Sequence, residues 1–264
     1  MTNAAIGTAR SATDRPGAGS QTRLGALAVA LLVTLALPGS AGASEAAVDK
    51  GGSVRLSDER TLTRWAHPVQ QTAPIRSHPS ADARQVVRTH RLTEDGFPEV
   101  YLALRSFTDS NENTWIKVRI PMRPNGGKGW VRDSALGPLY SVTTRLVVDR
   151  AKLRATLYRK GREIWSEPVG IGAASTPTPP GNFWIREKFE VSGDSQGIYG
   201  PVAIGTSNYS VLSDWPGGGV IGIHGTNEPA LIPGRPSHGC IRVENGAVQR
   251  LYRLLPIGTP LLIK

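Results

Sequence analysis

The chain has 264 residues, room for one or two domains, and its 39% hydrophobic content is enough to build their cores. A formal net charge of +10 favours polyanions, but no nucleic-acid-binding motif accompanies it, so no nucleic-acid partner is expected and an anionic envelope polymer or membrane surface is attracted equally. One cysteine excludes an intramolecular disulfide and a Cys-rich zinc site, and His67, His78 and His90 are scattered without ligand spacing, so neither a metal centre nor a cofactor is expected.

Residues 1–43 read as a targeting segment: Arg10, Arg15 and Arg23 precede the apolar run Leu24 to Leu37, Pro38-Gly39 breaks it, and Ala41-Gly42-Ala43 offers a small-residue cleavage site. The run is shorter than the about 20 apolar residues of a membrane-spanning helix. Export with cleavage near Ala43 is the expectation, a retained anchor its alternative, and any membrane contact is confined to this segment. Residues 44–64 are polar, charged and aperiodic, and read as a linker.

Over 65–140, short β-type runs alternate with Gly, Asn and Pro turns: Pro74-Ile75-Arg76, Gln85-Val86-Val87, Glu99 to Leu104, Thr114 to Val118 and Gly129-Trp130-Val131. Their spacing predicts a small antiparallel barrel or sandwich, with Trp115 and Trp130 as core residues. A second domain is predicted over 141–264. Val147 to Asp149, Ala155 to Tyr158, Ile164-Trp165, Val169 to Gly172, Phe183 to Ile185 and Val202 to Ile204 read as strands, with a Pro-rich turn from Ala173 to Gly181. One short helix is expected after Asn245 as its cap, with Val248, Leu251, Leu254 and Leu255 at helical spacing. Pro216-Gly217-Gly218-Gly219 reads equally well as a lid or as a hairpin turn.

The chemistry concentrates in Ile223-His224-Gly225-Thr226-Asn227 and Ser237-His238-Gly239-Cys240-Ile241-Arg242. A thiol titrates near 8.5 and needs an imidazole or a cluster of amide N–H groups to act as a thiolate. His224 and His238 are the candidate partners, and the arrangement suggests acyl transfer. Gly239 lets the chain bend and keeps the approach to sulfur open, while the turn can aim N–H groups at an oxyanion. Gly222-Ile223 and Ile241 look like strand ends that would hold both groups rigidly. Ser237 is expected to brace the turn through its hydroxyl.

These residues resemble the L,D-transpeptidase catalytic domain, often called the YkuD domain. The pattern is carried by His224, Ser237, His238, Gly239, Cys240, Ile241 and Arg242, and extends through Thr144 to Asp149, Thr178 to Phe183 and Gly258 to Ile263, roughly the C-terminal half. Arg242 departs from the Asn that can stand at that position. The resemblance implies that Cys240 is the acylated nucleophile, that His224 is its base and that Gly225 orients the imidazole through its carbonyl. It further implies that His238, Gly239 and the Cys240 amide shape the oxyanion site, and that Arg242 braces the loop or meets substrate. The Trp115 and Trp130 region loosely resembles bacterial SH3-like modules. The fold expected is therefore mainly β: a small SH3-like barrel followed by a β-sandwich catalytic domain with one or two short helices. The implied partners are peptidoglycan stem peptides, with carbapenem-type β-lactams as covalent inhibitors, in an exported protein of the cell envelope, periplasmic or secreted. The rival expectation is a wall-binding envelope protein that keeps the fold without turnover.

Overall fold

The computed structural model describes residues 48–49, 52–193, 195–213 and 216–264. The targeting segment expected over 1–43 lies outside them, as does most of 44–51.

The N-terminal half forms a nine-stranded sheet of β1 (Val48–Asp49), β2 (Ser53–Arg55), β3 (Thr63–Ala66), β4 (Pro74–Arg76), β5 (Gln85–Arg88), β6 (Tyr101–Thr108), β7 (Thr114–Arg119), β8 (Lys128–Arg132) and β9 (Tyr140–Val142). The order is β1-β2-β6-β7-β8-β4-β5, with β3 paired to β6 and β9 to β3. Ile75, Tyr101, Ala103, Ile116, Val118 and Val131 bury one core, and packing there is close enough that a Cβ on Gly129 would lie 2.4 Å from Ile75 Cγ2. Trp115 is buried in this half, whereas Trp130 is only half-buried and carries Lys117 Nζ 5.6 Å from its ring centre.

The stretch read as a linker departs from that expectation. Residues 53–55 pair with β6, and Asp58 folds the connection to β3 by accepting the N–H groups of Arg60, Thr61 and Leu62. The polarity of this stretch thus belongs to a hydrogen-bonded turn. Likewise β9 straddles the domain boundary expected at 141 and is paired into the N-terminal sheet.

The C-terminal half forms a ten-stranded sheet of β10 (Thr144–Asp149), β11 (Arg154–Arg159), β12 (Arg162–Pro168), β13 (Gly170–Gly172), β14 (Gly181–Glu190), β15 (Val202–Tyr209), β16 (Val220–His224), β17 (Gly234–Ser237), β18 (Ile241–Arg242) and β19 (Pro260–Ile263). The order is β12-β11-β10-β19-β14-β15-β16-β18-β13-β17. Along β10, Thr144, Leu146 and Val148 are buried while Arg145, Val147 and Asp149 are half-buried, the period-two pattern of a strand with one face in the core.

Two α-helices are described, α1 (Ser195–Tyr199) and α2 (Asn245–Leu254). The spacing predicted for α2 holds: Ala247, Val248 and Leu251 are buried in the C-terminal core. Its cap is not Asn245. The Glu244 carboxylate accepts the N–H groups of Gly246 and Ala247, which satisfies orphan donors of the first turn and suits the helix dipole. The Asn245 side chain is thereby left for another task.

The two halves share buried contacts. Trp184 packs with Val100 and Leu102, and its Nε1–H donates to the Val100 carbonyl at 2.8 Å. Buried Arg186 donates through Nε to Glu99 Oε1 at 2.8 Å, pairs through Nη2 with Glu99 Oε2, and meets Glu94 through Nη1 at 2.9 Å. Trp65 lies over Gly258, where φ is +78° and a Cβ would fall 2.1 Å from the indole.

Candidate active site

Strand pairing brings the two motif halves together. β16 and β18 run parallel in the register Ile223↔Ile241 and His224↔Arg242, so Cys240 enters β18 beside Gly222. The Gly222 N–H points to Cys240 Sγ at 3.4 Å. His224 lies two residues along and thus on the same side of β16 as Gly222. Cys240, His224, His238, Ser237 and Arg242 line one cleft, and Tyr199, Ser210 and Gly219 are on its walls.

The turn before the cysteine is held by two hydroxyls. Ser237 Oγ donates to the Cys240 carbonyl at 2.6 Å and accepts the Gly239 N–H at 3.1 Å. Thr178 Oγ1 donates to the Gly239 carbonyl at 2.6 Å and accepts the Gly172 N–H at 2.9 Å. Gly239 has φ +128°, and a Cβ there would sit 2.7 Å from Ile221 Cδ1, so only glycine passes. The Gly239 N–H is directed at Ser237 Oγ, and the residue serves the turn sterically. His238 is exposed at the mouth of the cleft.

His224 is buried, and its Nδ1 lies 2.7 Å from the Gly225 carbonyl. That contact sets the tautomer with the proton on Nδ1, leaving the Nε2 lone pair as the basic site. The Tyr199 ring packs edge-on against the imidazole, centroids 4.8 Å apart. Gly225 has no room for a side chain, since a Cβ would meet Asn245 Oδ1 at 2.2 Å and Gly200 Cα at 2.9 Å. Asn245 Oδ1 accepts the Thr226 N–H at 2.9 Å, fixing the segment that carries the Gly225 carbonyl. Arg242 is tied through Nη1 to Glu228 at 2.7 Å.

Burial dominates the electrostatics. It lowers the His224 imidazole from 6.5 to about 4, against the Gly225 hydrogen bond and with help from Arg242. It also raises the Cys240 thiol above its ordinary value, against the Gly222 N–H and Arg242, which favour the thiolate. Both shifts favour the neutral thiol and the neutral imidazole.

A second buried group titrates in the opposite sense. Glu187 of β14 accepts from Thr93 Oγ1, and burial together with nearby Asp95 raises its carboxyl from 4.5 to about 7, against the lowering by Thr93 and Arg186. For His224, the unfolded chain binds a proton that the folded chain refuses between 6.5 and about 4, so stability is lost as pH falls through that window. For Glu187, the folded chain keeps a proton that the unfolded chain releases, so stability is lost as pH rises from 4.5 to about 7. Each effect is roughly 3 kcal/mol when fully developed, and over their common window they oppose. The wild type should show little net slope from this pair in urea unfolding. Glu187→Gln should unmask stability rising with pH, and His224→Gln stability falling with pH. Equal slopes in all three proteins would refute the assignment.

Of the residues singled out in the sequence, Cys240, His224, His238, Ser237 and Arg242 line the cleft, while Gly225 and Gly239 support it from behind. Tyr199 and Ser210 are not singled out in the sequence, Gly222 is read there only as a strand end, Asn245 only as a helix cap, and Thr178 only within a stretch of the family resemblance. Thr178 and Asn245 lie on turns and a helix start where hydroxyl and amide side chains are common. Their long-range partners appear only on folding.

The L,D-transpeptidase catalytic domain (YkuD) family profile matches residues 143–263. The putative L,D-transpeptidase YkuD of Bacillus subtilis is 31% identical over 124 residues, which cover 47% of this chain and 68% of that protein. The probable L,D-transpeptidase YbiS of Escherichia coli is 28% identical over 131 residues, covering 43% of this chain and 42% of that protein. Among solved structures, L,D-transpeptidase 3 from Mycobacterium tuberculosis in complex with a faropenem-derived adduct is similar over 58% of this chain and 91% of that one, with 14% identity and a TM-score of 0.38.

Proposed function

Because the chain belongs to the L,D-transpeptidase catalytic domain family, we propose that it is an exported cysteine acyltransferase that remodels or cross-links peptidoglycan stem peptides in a cell envelope. The observation that carries this reading is the placement of the Cys240 sulfur against the Gly222 N–H, in one cleft with an imidazole whose Nδ1 is tied to Gly225.

In the mechanism this geometry supports, His224 Nε2 takes the proton from Cys240 Sγ as sulfur attacks the carbonyl carbon of an L,D-peptide bond in a donor stem. The C–S bond forms and the carbonyl oxygen becomes an oxyanion, for which the Cys240 amide and His238 are the proposed donors. As the intermediate collapses, His224 returns the proton to the departing D-amino acid nitrogen and a thioester remains. An acceptor amine then attacks the thioester, His224 takes the amine proton, and Cys240 recovers it as the C–S bond breaks. Which acceptor arrives decides between a cross-link, hydrolysis by water and anchoring of a protein amine. In this proposal the N-terminal half is the SH3-like module, and residues 1–43 deliver the chain to the envelope.

A strained β-lactam carbonyl is an acyl donor that the same sulfur can open. The protein, with its thiol confirmed reduced, should release the terminal D-amino acid from a soluble tetrapeptide stem. It should also take up one carbapenem, placed on Cys240 by peptide mass spectrometry. Reduced, folded protein that does neither would overturn the transpeptidase reading and leave that of a wall-binding protein.

A further inference from the structure

One wall of the cleft, at Ser210 and Gly219, is braced from behind by the N-terminal half. β15 and β16 pair from Ala203↔His224 to Gly205↔Gly222 and resume only at Tyr209↔Val220, so residues 206–208 stand opposite Ile221 alone. This bulge is pinned, because Thr206 Oγ1 donates to the Ile221 carbonyl at 2.6 Å and Asn208 Nδ2 to the Pro179 carbonyl at 3.1 Å. Bulges of this kind re-aim the residues that follow. Here they aim Ser210 at the nucleophile: buried Ser210 donates its N–H to the Gly219 carbonyl at 2.8 Å, and its Oγ lies 3.5 Å from where a Cβ would stand on Gly239, next to Cys240.

The opposite side of this segment is held largely by the N-terminal half, with Arg186 of β14 also donating through Nη1 to the Tyr209 hydroxyl at 3.4 Å. Asn125 pairs with Tyr209 as a neighbouring strand would, accepting its N–H on Oδ1 at 3.0 Å and donating through Nδ2 to its carbonyl at 2.9 Å. The same amide donates to Asn208 Oδ1 at 3.0 Å. The Arg123 guanidinium lies 4.7 Å over the Tyr209 ring and directs Nη2 at the carbonyls of Ser210 and Leu212, each at 3.4 Å. It also occupies the space beside Gly219, where a Cβ would fall 2.6 Å from Nη2. Tyr209 is closed in by Glu94, which accepts its hydroxyl at 2.6 Å.

We propose that Asn125 and Arg123 are positioning residues for the stem-peptide site: by fixing Tyr209, Ser210 and Leu212 from the N-terminal half, they seat Ser210 against the Gly239–Cys240 turn and set the cleft wall the substrate meets. Neither residue touches Cys240 or His224, so the effect is on substrate placement and not on the reactivity of sulfur. The kinetic part of this inference rests on the transpeptidase reading; its structural part does not.

The test uses the full chain with Asn125→Ala, Arg123→Ala and Arg123→Lys. For a soluble tetrapeptide stem, KM should rise about ten-fold in the two alanine variants with kcat changed far less. Alkylation of Cys240 by iodoacetamide should keep its wild-type rate. Amide exchange should quicken in peptides covering 209–213 and not in those covering 241–255, and Arg123→Lys, which keeps the cation, should recover part of both effects. Folded variants with wild-type KM and wild-type exchange over 209–213 would overturn the proposal, as would a KM rise matched by slower alkylation, which would mean the nucleophile itself had moved. If the wild type turns over no stem, the transpeptidase reading fails on its own, and the exchange pattern still decides the positioning role. Should Asn125→Ala not fold, exposed Arg123 carries the test.

Discussion

Cys240→Ala should abolish stem turnover and the carbapenem adduct while leaving the melting temperature nearly unchanged. The sulfur is half-buried and its one hydrogen bond is a 3.4 Å contact from Gly222, so removing it should cost no more than about 1 kcal/mol. The covalent step, by contrast, has no second thiol to carry it. The Ser237 hydroxyl is committed to the Cys240 carbonyl and that of Thr178 to the Gly239 carbonyl, so neither is free to attack. The loss should therefore reach about four powers of ten or more, the scale seen when a covalent nucleophile is removed. Comparing the initial rate of D-amino acid release with thermal unfolding of the same samples separates the two quantities. Turnover within a hundred-fold of wild type would end the claim that Cys240 is the nucleophile, whatever the melting curve shows.

Removing the N-terminal half is expected to unfold the remainder. In the sequence the chain reads as two consecutive domains meeting near 141, with hydrophobic content enough for both cores. The structure leads to a different expectation. Trp184 and Arg186 are both 2% exposed, and their cover is Val100, Leu102, Glu99 and Glu94. Uncovering the indole and its neighbours returns on the order of 200 Å² of apolar surface to water, about 5 kcal/mol at the usual coefficient. That is comparable with the whole stability of an ordinary domain. A chain from Thr144 onward should lose its cooperative transition, or aggregate through the bared aromatic face. The single substitution Glu99→Ala, which takes one of two carboxylates from buried Arg186 and leaves its Nε and Nη2 without that partner, should destabilise the full chain by about 3–5 kcal/mol. A truncated chain melting cooperatively near the full-length temperature would show that the contact between halves is incidental.

The parts of the molecule legible in the sequence are those whose cause is local. The β-type run from Val147 to Asp149, the helical spacing of Val248 and Leu251, and the run from Ser237 to Arg242 each announce themselves within a few residues. What stayed hidden has a remote cause. Asn245 is well placed to cap α2, and only the approach of Thr226 shows why Glu244 takes that role. Thr178 lies in a Pro-rich turn whose purpose is visible only once Gly239 is beside it. α1 contains a glycine and is too short to carry a helical repeat, yet it delivers Tyr199 to the imidazole. The glycines before β16 form a single 3-10 turn, and the Ser210 to Gly219 hydrogen bond closes the connection between antiparallel β15 and β16.

The placement of β19 carries a consequence for the way the chain is made. It lies between β10, to which it is parallel, and β14, to which it is antiparallel, so the middle of the C-terminal sheet comes from residues 260–263. During translation, β10 and β14 can emerge long before the strand that joins them. Until residue 263 has left the ribosome, each presents an open ladder edge along apolar residues such as Leu146 and Phe183. Completion of the fold is thereby deferred until residues 260–263 have been made, and an unpaired nascent chain is the state that partners keeping polypeptides from aggregating would meet.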